Sequence, residues 1–491
     1  MSAALVFGGQ ADGEEIAPAE LERRIACAAS GLERLGIREG DVVALMLRNS
    51  PAFIEAMLAC RRLGVYYCPI NWHFKADEAG FILRDSGAKA LVVHADLLAQ
   101  IEAGLPSGLP IVTVEPGWSA WRDAHQPWHG APRSPRGNMA YTSGTTGRPK
   151  GVRRAPATDQ QQARVLELYQ TVLGLEPEMR ALVSAPLYHS APNLYALQAC
   201  LHGALLVLEP RFDAQGTLAL IERYRLTNLY LVPTMFVRLL RLHPEVRRRY
   251  DISSVRFISS TGSPCAPELK RAMIDWFGPV ITETYASSEA GHITFIDSRE
   301  WLERPGSVGR PLGEGVVKIL DDDARALPPG EIGLIYCRQP AYPDFTYTNN
   351  PAARVAIERD GLWSVGDMGY LDAAGYLYVA DRKSDMVISG GVNIYPAEIE
   401  AALMSMPGVA DCAVFGIPDT EFGEALAAAV ELRSGASASA EEVQQFLRGR
   451  IANYKVPRLV SFHDALPREE SGKIFKRLLR EPYWAAAGRR I

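Results

Sequence analysis

The chain has 491 residues, 47% apolar and 22% charged, with a formal net charge of −5. That length exceeds what one hydrophobic core supports, so at least two domains are expected, in an ordinary globular composition. The lack of a basic tract argues against a nucleic-acid partner, no run reaches the ~18 apolar residues of a membrane span, and seven scattered cysteines without CxxC spacing read as reduced thiols rather than a metal or disulfide framework.

The first eighteen residues are acidic and lack a secretory pattern, which points to a cytoplasmic protein. Leu21, Ile25, Ala28, Leu32 and Leu35 recur at helical spacing. Asp41–Asn49 reads as a buried strand, and Ser50-Pro51 caps and starts the next helix. A helix over Ala76–Asp85 and a strand over Lys89–Val93 follow. Strands alternating with helices predict parallel sheets covered on both faces. Asn138–Tyr141 is a short strand. From Gly315 to Ala380 short strands separated by Asp/Gly turns predict a smaller β-rich subdomain. Beyond Asp385 about a hundred residues carry their own pattern: a helix from Pro396, strands at Val409–Phe415 and Ala427–Leu432, and a helix over Glu441–Ile451.

The segment that carries chemistry is Tyr141–Gly151, YTSGTTGRPKG. Gly144 and Gly147 let the backbone fold tightly, so that several N–H groups converge. Thr142, Ser143, Thr145 and Thr146 add hydroxyl donors, and Lys150 adds a positive charge. This is a phosphate grip, but not the common P-loop, because Gly151 rather than Ser or Thr follows the lysine. Further on, Tyr285-Ala286-Ser287-Ser288-Glu289, Gly366-Asp367, Asp381–Glu400 (DRKSDMVISGGVNIYPAEIE) and the SGK ending at Lys473 complete a series of separated motifs.

Together these segments resemble the adenylate-forming superfamily of acyl-CoA synthetases, firefly luciferase and peptide synthetase adenylation domains, closest to the fatty and aryl acid–CoA ligases. The resemblance spans about Val42 to Lys476. It implies an α/β fold with a large N-terminal domain of doubly wound sheets plus a β-rich subdomain, and a small mobile α+β C-terminal domain. The expected boundaries are 1–383 and 384–491.

The resemblance also implies roles. Tyr285 stacks on adenine, Glu283 accepts from its amino group, and Gly262 and Ser263 form the adenine-side loop. Ser288 contacts the α-phosphate, and Glu289 offers a hard oxygen ligand for Mg²⁺. Asp367 and Arg382 hold the ribose, and a carboxylate with two acceptor oxygens suits a diol. His189 stands between the nucleotide and acyl sites, while Ala286 and Val232 border the acyl pocket. Gly390 and Gly391 bring backbone to the CoA channel, and Ser384 occupies the hinge. Lys473 neutralises charge developing as the adenylate forms.

The activity implied is ATP-dependent ligation of a carboxylic acid to CoA, on medium-chain fatty or aromatic acids. Its substrates are ATP, CoA and a small acid, with Mg²⁺ as the metal, and a homodimer stays open. Two alternatives also remain at this point. One is an adenylating enzyme that loads a carrier protein. The other is a catalytically silent nucleotide-binding regulator.

Overall fold

The computed structural model describes residues 3–8, 13–131, 133–142, 149–263, 265–390, 392–468 and 474–487. Among these, two sheets carry the N-terminal part. The larger has seven strands, running across as Ile281–Glu283, Phe257–Ser260, Asn228–Tyr230, Arg180–Val183, Leu205–Leu208, Ala4–Phe7 and Glu14–Ile16. Its pairs are parallel except the last. The smaller sheet is parallel, in the order Tyr66–Pro69, Val42–Met46, Ala90–His94 and Ile111–Val114. Strands buried on both faces need continuous apolar runs, and VVALM and ALVVH supply them.

The helix Pro51–Arg62 begins as expected: Pro51 sits in the first turn and the Ser50 hydroxyl accepts from the Phe53 N–H. Ala76–Asp85 is helical over its whole predicted length. The first helix is Pro18–Arg34, with Leu35 as its C-cap.

The strand expected over Asp41–Asn49 is shorter, Val42–Met46. The reason lies at Asn49, which is buried with its side-chain amide spent on backbone elsewhere. Its Nδ2 donates to the carbonyls of Ala185 and Glu209, each at 3.0 Å, and its Oδ1 accepts from the Leu187 N–H at 2.9 Å. Those three bonds pull the chain out of the small sheet and tie it to segments just beyond the C-terminal ends of two central strands of the large one.

A six-stranded antiparallel sheet follows, built around Gly333–Arg338, with Asp367–Leu371 and Leu377–Arg382 on one side. A separate three-stranded sheet joins Ala140–Thr142, Lys150–Arg154 and Phe345–Tyr347. The C-terminal part has its own five-stranded sheet of Val392–Ile394, Val387–Ser389, Gly423–Leu432, Val409–Asp419 and Leu459–His463. Its core is separate too, with Val387, Ile399, Leu403, Val414, Val430 and Leu447 packed together. The long hairpin strands extend past the predicted limits because Ala425–Val430 is buried along its whole run. The helix expected over Glu441–Ile451 runs Ala440–Arg448, opened by a capping box from Ser439 to Glu442. Residues 383–386 connect the β-rich sheet to this C-terminal unit.

Candidate active site

Thr142 and Lys150 are register partners in an antiparallel strand pair, so the hydroxyl- and glycine-rich stretch of the sequence begins and ends on two hydrogen-bonded strands. Ser143, Gly144, Thr145 and Thr146 lie outside the described residues. Lys150 Nζ lies 5.2 Å from the centre of the Tyr347 ring.

The same tyrosine reaches the expected metal ligand. Glu289 is buried, and its Oε1 accepts from the Tyr347 hydroxyl at 2.9 Å and from the Thr142 hydroxyl at 3.2 Å. The carboxylate is thus tethered to the last described residue before the phosphate loop. Arg154 fixes the backbone beside it, donating to the carbonyls of Ser288 at 2.9 Å and Glu289 at 2.7 Å. Ser288 Oγ lies 3.2 Å from Ser190 Oγ. Ser190 opens the helix Ser190–His202, for which His189 is the N-cap residue. A helix N-terminus therefore stands beside Ser288, where unpaired N–H groups favour an anion. The His189 ring packs 4.4 Å from that of Tyr188.

The residues expected at adenine and ribose form a connected group. The Tyr285 hydroxyl donates to Asp367 Oδ2 at 2.6 Å. Asp367 and Arg382 are opposite each other in the strand pair, with Arg382 Nε 3.4 Å from Asp367 Oδ1. Burial, and then the Asp367 charge, push the Tyr285 phenol well above its ordinary value, so it stays a hydrogen-bond donor. Gly262 has φ +91° with open space around it, and Ser263 beside it is exposed.

Glu283 has a partner that sequence reasoning missed. Its Oε2 accepts from Lys270 Nζ at 2.8 Å, and both side chains are buried. Glu283 is therefore not a solvated carboxylate, and only its other oxygen is left for a ligand. Lys270 sits on the helix Pro267–Phe277, where a lone lysine reads as a solvent-facing charge.

Val232 is the N-cap residue of the helix Pro233–Leu240, and Ala286 stands opposite His292 in a short antiparallel ribbon. Arg238 is exposed. Gly390 turns the hairpin between Val387–Ser389 and Val392–Ile394 at φ +58°, where a Cβ would stand 2.9 Å from the Phe422 ring. Gly391 and Lys473 lie outside the described residues. Ser384 is exposed in the connecting turn, and its carbonyl accepts from Arg480 at 3.3 Å.

Among the described residues no group of three or more His, Cys, Asp or Glu side chains is placed to hold a metal. A single buried carboxylate bonded to Thr142, beside the segment expected to bind phosphate, does fit Mg²⁺, which takes one or two carboxylates and completes its shell with substrate phosphates and water. No helix among those residues is long and apolar enough to cross a membrane.

A buried carboxylate beside a helix N-terminus, with a tyrosine joined through a second carboxylate to an arginine, is the arrangement expected of enzymes that activate carboxylates as adenylates. The chain belongs to the AMP-binding enzyme family: that family's profile matches residues 2–342, and the profile described as AMP-binding enzyme C-terminal domain matches 398–473. It is similar to a feruloyl-CoA synthase of Amycolatopsis sp, 36% identical over 96% of this chain and 94% of that protein. It is also similar to an indoleacetate–CoA ligase of Aromatoleum aromaticum, 34% identical over 95% of this chain and 93% of that one. Among solved structures it resembles the anthranilate CoA ligase AuaEII in complex with anthranoyl-AMP, with TM-score 0.86 and 27% identity over 99% of this chain and 95% of that chain.

Proposed function

We propose that the chain is an AMP-forming carboxylic acid–CoA ligase acting on aromatic or medium-chain fatty acids. The observation that carries the reading is Glu289, buried and bonded through Thr142 to the start of the phosphate loop, with Ser288 and a helix N-terminus beside it. The names of the relatives, feruloyl-CoA synthase and indoleacetate–CoA ligase, favour an aromatic acid.

In the first step a carboxylate oxygen of the acid attacks the α-phosphorus of ATP. The bond from that phosphorus to the bridging oxygen breaks, and pyrophosphate leaves. Asp367 and Arg382 hold the ribose, Tyr285 lies against adenine, and the helix N-terminus at Ser190 with Ser288 faces the α-phosphate oxygens. Mg²⁺, held by Glu289 and the triphosphate, would supply charge neutralisation that favours pyrophosphate as leaving group. Lys473 is the cation assigned to the charge spread over carboxylate and phosphate oxygens in this step. In the second step the deprotonated CoA sulfur attacks the acyl carbonyl, the carbon–oxygen bond to AMP breaks, and AMP departs. Catalysis is mainly positioning and charge stabilisation, because the carboxylate is already a nucleophile.

Residues 1–383 would form the body and 384–491 a unit that turns about Ser384 between the two steps, presenting Lys473 in one orientation and the Gly390–Gly391 hairpin in the other. The experiment is product analysis with ATP, Mg²⁺ and CoA over a panel of aromatic and fatty acids. Acyl-CoA, AMP and pyrophosphate in equal amounts are expected. Adenylate formation that proceeds to thioester only on a carrier-protein arm would favour the carrier-loading alternative, and no nucleotide turnover with any acid would favour the silent regulator.

A further inference from the structure

Ala286 and His292 stand directly opposite one another in the ribbon of Ala286–Ser287 and Gly291–His292. Opposed residues in an antiparallel pair project to the same face, their Cβ atoms about 4.5–5.5 Å apart. If Ala286 borders the acyl pocket, His292 stands at the same wall.

The Thr284 hydroxyl gives its only proton to the Thr294 carbonyl at 2.6 Å. Toward His292 Nδ1, at 3.4 Å, it can only accept. This weak contact assigns the ring proton to Nδ1 and leaves Nε2 with a bare lone pair. Nothing among the described residues donates to Nε2, and it is not one of the buried side-chain atoms sealed from solvent. The residue as a whole is only 4% exposed. Burial also holds its pKa down to about 4, so the ring is neutral at physiological pH. Its surroundings are aromatic: the Tyr169 ring meets it edge-on at 6.1 Å, with Tyr342 6.2 Å beyond Tyr169. Open to solvent and met by no described protein group, Nε2 stays available to an incoming donor.

We propose that Nε2 of His292 is the acceptor by which the acyl pocket selects aromatic acids carrying an O–H or N–H donor on the ring. The proposal rests on the ligase reading and on Ala286 bordering the pocket. A pocket built to hydrogen-bond such a donor discriminates more strongly against an analogue that lacks it than a purely apolar pocket does, because the analogue leaves the acceptor unmatched.

The test is CoA-dependent AMP release on matched pairs: cinnamate against its ring-hydroxylated forms, and indole-3-acetate against its N-methyl form. The wild-type enzyme should favour the donor-bearing member of at least one pair at least fivefold in kcat/KM. His292→Leu should bring that ratio below fivefold. His292→Gln, whose amide oxygen can accept in place of Nε2, should keep it above fivefold. A wild-type ratio below fivefold in every pair overturns the proposal, as does a ratio that survives in His292→Leu. If His292→Leu does not fold, the wild-type ratio and His292→Gln still decide. AMP release with donor-free acids but no donor preference sinks the His292 assignment alone. AMP release with no acid at all sinks the ligase reading, and the assignment falls with it.

Discussion

The Tyr285 hydroxyl donates a 2.6 Å hydrogen bond to Asp367 Oδ2, while Oδ1 of the same carboxylate lies 3.4 Å from Arg382 Nε. One carboxylate thus connects the residue read as the adenine platform to the pair read as the ribose clamp. Tyr285→Phe keeps the ring and removes only the hydroxyl. A hydrogen bond to a charged group is worth about 1.5–3 kcal/mol, so the KM for ATP should rise roughly tenfold or more with a smaller change in kcat. Steady-state kinetics against ATP check this. An unchanged KM would mean that the bond does not orient the nucleotide site.

Glu289→Gln keeps an oxygen that can accept from Tyr347 and Thr142 but removes the charge. Thermal stability should change little. kcat should fall by about 10²-fold, the order lost when one electrostatic contact to the transition state is removed, and the Mg²⁺ concentration needed for half-maximal activity should rise. A Mg²⁺ titration of wild type and variant gives the answer. An unchanged Mg²⁺ dependence would remove Glu289 from the metal.

The buried pair Lys270–Glu283 makes a separate prediction about stability. Lys270→Met leaves an uncompensated buried carboxylate, which costs about 3–5 kcal/mol. Lys270→Met together with Glu283→Gln should recover much of that loss. Denaturant unfolding of the single and double variants tests the coupling, and simple additivity would contradict it.

Two buried groups set opposite pH trends. Burial pushes Glu209 up from 4.5 to about 7, against the hydroxyls of Ser184 and Thr217, which favour its charged form. Its folded state binds more protons than the unfolded state between those values. Its contribution to stability is therefore full below pH 4.5 and is lost as pH rises through 7. His292 runs the other way: lowered from 6.5 to about 4, it contributes above pH 6.5 and loses that contribution as pH falls through 4. Each effect is on the order of 3 kcal/mol. Glu209→Gln should therefore gain thermal stability relative to wild type as pH is raised from 5 to 8. Parallel melting-temperature curves across that range would contradict the assignment.

Local signals read well from the sequence because their physics is local. Ser50-Pro51 announces a helix start through one side-chain bond and one fixed φ, and Ala76–Asp85 shows its periodicity within ten residues. The motifs at Asp367 and Arg382 are legible as separate segments, and the structure makes them register partners. What stays hidden depends on pairs far apart in the chain. Tyr347 reaches Glu289 only because Phe345–Tyr347 pairs with Lys150–Arg154. Arg154 holds the carbonyls of Ser288 and Glu289, more than a hundred residues away, and no local pattern announces it. Asn49 ends its strand early through bonds to Ala185, Leu187 and Glu209, which no spacing rule within the strand reveals.

In the proposed reaction the chain makes an acyl-adenylate before CoA takes part. Isotope exchange between pyrophosphate and ATP, measured without CoA, tests it most directly, because exchange requires reversible adenylate formation. Exchange should depend on an aromatic or fatty acid and on Mg²⁺ and should fall by ~10²–10³ or more in Lys473→Ala, while that variant still transfers supplied acyl-AMP to CoA. Acid-independent exchange, or release of ADP and phosphate in place of AMP and pyrophosphate, would contradict it.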